Sequence, residues 1–149
     1  MKKIILFLAI ALLFITGCGN TSNATSIDIE SASKNLDSKY TNMAVIDDNQ
    51  LNVIYGLDTT LLDEYVIKSS SKSNGDFYAI VKTNKDNRKD VENQMNKMFT
   101  IMEEQSNLYS KEAVNKIKNR LETTIGDNLV YIISDNNEEM YNILKGYIS

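Results

Sequence analysis

Histidine is absent from this 149-residue chain, and cysteine occurs once, as Cys18. Without an imidazole, neither a Ser-His-Asp nor a Cys-His catalytic arrangement can be assembled. The thiolate and imidazole sites that hold zinc, copper or haem are excluded in the same way, leaving only oxygen ligands for any cation. One thiol also cannot close an intramolecular disulfide, so in an exported protein a lone cysteine calls for another explanation. Basic residues are the minority, 16 against 20 acidic. An acidic balance argues against nucleic acid as a partner. Long hydrophobic runs are lacking too, with one exception at the N-terminus.

There, Lys2 and Lys3 precede an apolar run from Ile4 to Ile15, followed by Thr16, Gly17 and Cys18. A spanning helix needs about 20 apolar residues. This run is too short for that and has the basic start, apolar middle and small-residue end of a signal peptide. Ile15-Thr16-Gly17-Cys18 resembles a lipobox, in which small residues let the cysteine thiol reach its diacylglyceryl donor and let the bond before the cysteine enter a peptidase. The expectation is a signal peptide over residues 1–17, cleavage between Gly17 and Cys18, and lipidation of Cys18. Two acyl chains supply the two-signal anchoring that one chain cannot, at about 0.8 kcal/mol per buried CH₂.

Loss of Lys2 and Lys3 leaves 14 basic against 20 acidic residues. No second, electrostatic attachment to anionic lipid is expected from that balance. Lys111, Lys116, Lys118 and Arg120 form a local basic cluster, interrupted by Glu112 and Glu122, which reads as a solvated helix face. About 130 residues remain after cleavage, enough for one core but not for a two-lobed solute-binding lipoprotein.

Residues 18–26 read as the lipidated cysteine and a small, polar tether, and residues 27–149 as one domain. The sequons at Asn20 and Asn23 are chance in so asparagine-rich a chain. A weak helical period covers Ile27 to Tyr40, and a second short helix is predicted from Asp48 to Tyr55 with Leu51, Ile54 and Tyr55 on one face. Tyr65–Lys68 and Phe77–Lys82 are strand-like and flank Asn74-Gly75, a common hairpin turn. A second hairpin joins Leu121–Ile125 to Leu129–Ile133 through Gly126-Asp127, where glycine can take the positive φ of a tight turn. The last strand is apolar on both faces and is therefore predicted to be central, with helices on one side and aromatic or loop residues on the other.

The longest predicted helix runs from about Asn87 to Leu108, with Val91, Met95, Met98, Met102 and Tyr109 as a stripe that packs on a sheet. A methionine-rich partner surface or soft-metal patch is the sharper alternative, but the methionines share their stripe with valine and tyrosine. Lys111 to Asn119 is predicted as a shorter helix, and Met140, Ile143, Leu144 and Tyr147 line a C-terminal one. The expected fold is a two-layer α+β domain: an antiparallel sheet of two hairpins packed against the long helix and the C-terminal helix, with short N-terminal helices. Met98 and Ile132 are expected on facing surfaces. Asp135 to Glu139 starts like a calcium loop, yet Met140 and Gly146 stand where its glycine and bidentate acid belong. Asp135 as N-cap with Glu138 three residues on is the plainer reading.

Tyr55-Gly56-Leu57-Asp58, Leu62–Lys68, the long helix ending at Tyr109, and Gly126–Ser134 together resemble the Firmicute lipoprotein family called domain of unknown function 4358. The family's proline after the Tyr109 position is replaced by Ser110-Lys111. The resemblance implies a membrane-anchored extracytoplasmic protein without an established activity. A chain with no proline and many Asn, Lys and Ile residues suits an AT-rich Gram-positive genome.

Two functions follow from these residues. The first is a non-catalytic binding or accessory module that holds a protein or cell-wall partner near the membrane, with no cofactor and no metal. The second is a small cell-envelope hydrolase using carboxylates, for which Asp63 with Glu64 and Glu103 with Glu104 are the available acids. Adjacent side chains diverge on helices and strands alike, so neither pair forms an acid/base couple by itself. The binding module is therefore the expected function.

Overall fold

The computed structural model describes residues 25–71 and 75–149. The signal segment, Gly17, Cys18 and most of the tether lie outside the described residues. The first helix, α1 (Ile29–Lys39), starts where the Asp28 carboxylate accepts a hydrogen bond from Ser31 N at 3.0 Å. A three-residue strand, β1 (Met43–Val45), follows. It carries no alternation that a sequence reading could detect, and it exists because it pairs with the next strand.

Gln50–Ile54 forms one wide π-helical turn, closed by Tyr55 N donating to the Gln50 carbonyl at 3.2 Å and ended by Gly56 at φ 67°. The predicted helix over Asp48 to Tyr55 is present from Asp48 to Ile54, but after its first two residues it widens to a π-helix, and the wider winding rotates Ile54 out of line with Leu51. Leu51 is fully buried whereas Ile54 is 48% exposed. After a 3₁₀ turn at Thr59–Leu61 come β2 (Glu64–Ser70) and β3 (Phe77–Lys82), then α2 (Arg88–Asn107) and α3 (Lys111–Lys118). The second hairpin, β4 (Leu121–Ile125) and β5 (Asn128–Ile133), and α4 (Asn137–Lys145) complete the chain.

The five strands form one antiparallel sheet in the order β1-β2-β3-β5-β4. Both central strands, β3 and β5, are apolar on both faces because both faces are covered. Phe77, Ala79, Val81, Leu129, Tyr131 and Ile133 meet Val91, Met95, Met98 and Phe99 of α2 and Ile117 of α3. On the other face Tyr78, Ile80, Val130 and Ile132 meet Leu36 of α1 and Met140 and Leu144 of α4. The α+β class and the packing of two hairpins on α2 and α4 hold. The helix-on-sheet layering occurs on both faces, where aromatic or loop residues had been expected on one.

Three placements differ from expectation. Met98 and Ile132 are both fully buried but on opposite faces, since side chains alternate along a strand and only Leu129, Tyr131 and Ile133 of β5 point toward α2. Tyr109 leaves the α2 stripe: the helix ends at Asn107, the turn closes with Tyr109 N donating to the Ser106 carbonyl, and the residue is 88% exposed. Phe99 takes its place in the core, holding Phe77 edge-on at a centroid distance of 5.6 Å. The α4 cap sits one residue later than predicted: Asn136 accepts from Glu139 N at 3.2 Å, and its own amide reaches back to the Glu139 carboxylate at 3.3 Å. Asp135 is free of the cap because Lys116 holds it. In the first hairpin Gly75 takes φ 73°, and Asn74 lies outside the described residues.

Candidate functional site

The register places two groups of polar contacts at opposite ends of the sheet. Phe77 pairs with Ile133 at one end of β3 and β5, and Lys82 pairs with Asn128 at the other. Five residue steps separate these ends by about 17 Å at roughly 3.4 Å per residue.

The first group fastens the N-terminal end of the domain. Ser26 N donates to the Ser149 carbonyl at 3.2 Å, Ser149 N donates back at 2.9 Å, and Asp28 N donates to the Tyr147 carbonyl at 3.0 Å. The fully buried Asn128 accepts from both the Ser26 hydroxyl and Ile27 N through Oδ1. Asp127 N donates to the Thr25 carbonyl at 3.2 Å, and Gly126, at φ 56°, has no Cβ to collide with that carbonyl. Chain entry, chain exit and the β4–β5 turn are therefore one knot. Cys18, the lipidation residue read from the sequence, lies outside the described residues, separated from Thr25 by six residues.

At the other end, α3 presents Glu112, Asn115, Lys116 and Asn119 on one helical face. Opposite them stand Ser134, Asp135 and Asn137 of the β5–α4 connection, enclosing a cleft of about 320 Å³. Lys116 Nζ sits 2.7 Å from Asp135 Oδ1 and 3.4 Å from Asp76 Oδ1, with 11% of its side chain exposed. Burial pushes the ammonium pKa down, but hydrogen bonding and charge from Asp135 and Asp76 outweigh it, so the value lies above that of an ordinary lysine. A neutral lysine is what a Ser-Lys couple with Ser134 would need. Ser134 is itself committed, its hydroxyl accepting from Asn136 N at 3.1 Å and lying 3.3 Å from Asn137 Oδ1. Asn137 Nδ2 donates to the Asn119 carbonyl at 3.0 Å, tying α4 to the end of α3. The cluster supports holding rather than proton abstraction. Glu112, Asn115 and Asn119 line the cleft with side chains hydrogen-bonded to none of the described residues, leaving their donors and acceptors open.

The basic cluster divides. Lys111 and Lys118 are exposed, as a solvated face requires, but Lys116 and Arg120 are not. Arg120 Nε lies 2.5 Å from Glu122 Oε1, NH1 lies 3.8 Å from Glu103 Oε1, and the guanidinium stacks 4.3 Å from the Phe99 ring centre. The signal for this was available in the spacing. Ala113 and Ile117 are the buried residues of α3, and positions 116 and 120 border that stripe whereas 111 and 118 lie away from it. What the sequence could not supply was the partners, since Asp76 and Asp135 come from distant turns.

The proposed acids do not converge. Asp63 and Glu64 are exposed at the Lys82 end of the sheet, where Asp63 N donates to the Lys82 carbonyl. Glu103 is paired with Arg120 near the other end and Glu104 is exposed. Among the described residues no three metal-ligating side chains come together, and no helix is long and apolar enough to cross a membrane.

A second, smaller cleft of about 220 Å³ opens between α2 and the edge strand β4, lined by Glu92, Asn96, Glu122, Thr124 and Tyr131 among others. Burial, with the charges of Glu122 and Glu92, raises the Tyr131 hydroxyl well above the ordinary tyrosine value. Arg88 bridges two of its lining residues, bonding Glu92 at 3.2 Å and donating to the Thr124 hydroxyl at 2.7 Å.

Comparison with known proteins gives no match among curated proteins and none among solved structures. A family model does match, over residues 35–134, from within α1 through β5, so that the chain belongs to the family described as domain of unknown function DUF4358.

Proposed function

We propose that this protein is a lipid-anchored, extracytoplasmic accessory module of the cell envelope, which binds a protein or cell-wall partner and catalyses nothing. The observation that carries the reading is the knot at Thr25. The chain enters the domain at a fixed point, and the seven steps back to Cys18 reach at most about 25 Å at roughly 3.5 Å each. A diacylglyceryl group on Cys18 therefore keeps the domain next to the bilayer, attached by the end of the sheet that carries Gly126. The α3 cleft at the other end stays open to solvent and offers Glu112, Asn115 and Asn119 to a partner. Lys116, charged and held by two carboxylates, supplies rigidity there rather than a base.

The anchor is tested with Cys18→Ser. Without the thiol there is nothing to acylate, and the expected product is an uncleaved precursor that takes up no labelled palmitate. Label on that variant, or normal processing of it, overturns the anchor. The binding role is tested by crosslinking in intact membranes, with Asn115→Ala and Asn119→Ala expected to weaken capture of the partner while leaving the melting temperature unchanged.

A further inference from the structure

The sheet has two edges, and they differ. β1 is only three residues long, a common way of making an edge unattractive to other strands. β4 has five residues in unbroken register with β5, and Leu121-Glu122-Thr123-Thr124-Ile125 contains no proline, lysine or bulge. Its turn has two residues, Gly126 and Asp127, with the positive φ at Gly126, so Ile125 and Asn128 form the closing hydrogen-bonded pair. Alternation then turns the backbone groups of Ile125, Thr123 and Leu121 toward β5, and those of Glu122 and Thr124 outward.

We propose that β4 pairs antiparallel with β4 of a second copy of this chain, about a two-fold axis through Thr123, making one continuous ten-stranded sheet. In that register Glu122 stands opposite the second copy's Thr124, and the reverse holds by symmetry, so the outward N–H and C=O groups of both residues form four backbone hydrogen bonds. Charge complementarity argues for this occupant. Arg88 is held against Thr124 at 2.7 Å on the α2 face, where Glu122 also projects. Pairing therefore brings each copy's Arg88 beside the other's Glu122. On the opposite face Leu121 meets the second copy's Ile125, and Thr123 meets Thr123. An offset by one residue would put these apolar residues against Glu122 and Thr124, so the pattern selects the register.

A five-residue edge buries little area, which places the contact among weak, transient interfaces. Confinement on one surface offsets that weakness by raising the effective concentration. The attachment geometry permits it. Each Thr25 lies beside its own Gly126, and in the pair the two Gly126 residues stand six steps apart along the strand direction, roughly 20 Å at about 3.4 Å per residue. Both tethers reach one bilayer.

Thr123 on the axis supplies the test, because a non-hydrogen-bonded antiparallel pair has Cα atoms about 4.5 Å apart, within disulfide reach. Thr123→Cys in the full chain, oxidised in intact membranes, is expected to give a disulfide-linked homodimer. Val45→Cys on the β1 edge, 63% exposed, is the matched control and is expected to remain monomeric. Thr124→Pro removes an outward N–H that the monomer does not use, so added to Thr123→Cys it is expected to abolish the dimer. The parent chain sets the baseline: a dimer formed there reports a free Cys18 and counts against lipidation, not against strand pairing. The pairing is overturned if Thr123→Cys forms no more dimer than Val45→Cys, if it crosslinks only to another protein, or if Thr124→Pro leaves the dimer intact in a folded protein.

Discussion

Replacing Met98 and Ile132 together asks directly how this sheet is built. Both side chains are fully buried, but Met98 belongs to the core under α2 and Ile132 to the core under α1 and α4. Met98→Ala is expected to cost about 2–5 kcal/mol and Ile132→Val about 0.5–1.5 kcal/mol. The two residues share no neighbour across the sheet, so their effects should add to within about 0.5 kcal/mol. Together these truncations cost about 2.5–6.5 kcal/mol, so the double variant stays folded where the parent's stability exceeds about 7 kcal/mol, within the ordinary range of about 5–15 kcal/mol. The control is Phe99 with Tyr131, whose rings lie 5.3 Å apart on the same face. Changed singly and together to Leu, that pair should show a coupling of about 0.5–1.5 kcal/mol. Urea denaturation of the six variants, two single and one double in each cycle, and the parent gives every value needed. A coupling above about 1 kcal/mol between Met98 and Ile132 would refute the two-core architecture, because only residues in contact or sharing neighbours couple so strongly.

Gly126→Ala should destabilise the protein by about 2–4 kcal/mol, combining the strain of a positive φ with the displacement of Thr25 and loss of its hydrogen bond. Urea unfolding together with proteolysis ahead of α1 checks this, and an unchanged midpoint would mean that the N-terminal knot is dispensable. Lys116→Ala leaves Asp76 and Asp135 without their shared cation and should lower the melting temperature more than Lys118→Ala, whose side chain is exposed. Equal effects would deny the cluster its structural role. Alkaline pH should unfold the protein. Lys116, Tyr78 and Tyr131 all have pKa values raised in the folded state, so their stabilisation is complete below the unfolded values near about 10 and is lost as pH climbs through the folded ones. A melting temperature that stays level from about pH 9 to 12 contradicts that linkage.

Local rules decided much of this protein in advance. Runs of β-branched and aromatic residues specified both hairpins, Gly126 marked the turn that needs a positive φ, and the spacing of Val91, Met95 and Met98 specified the buried face of α2. Such signals depend on neighbours a few residues apart, so they survive without any knowledge of the fold. The motifs that suggested the family did likewise. What sequence alone left undecided depends on which distant segments meet. β1 is a strand only because β2 lies beside it, with Val45 opposite Lys68. The face on which Ile132 falls is set by which helices cover each side of β5, and a two-residue period does not say which side faces α2. Tyr109 continued the helical stripe in spacing, but the helix had already ended, and periodicity carries no information beyond its last hydrogen bond. The polar groupings follow the same division. Lys116 could be placed at the border of a buried stripe from spacing, but Asp76 and Asp135 lie 40 residues before it and 19 after it. Charges separated so far along the chain become neighbours only through the antiparallel register that brings the ends of β3 and β5 together beneath α3.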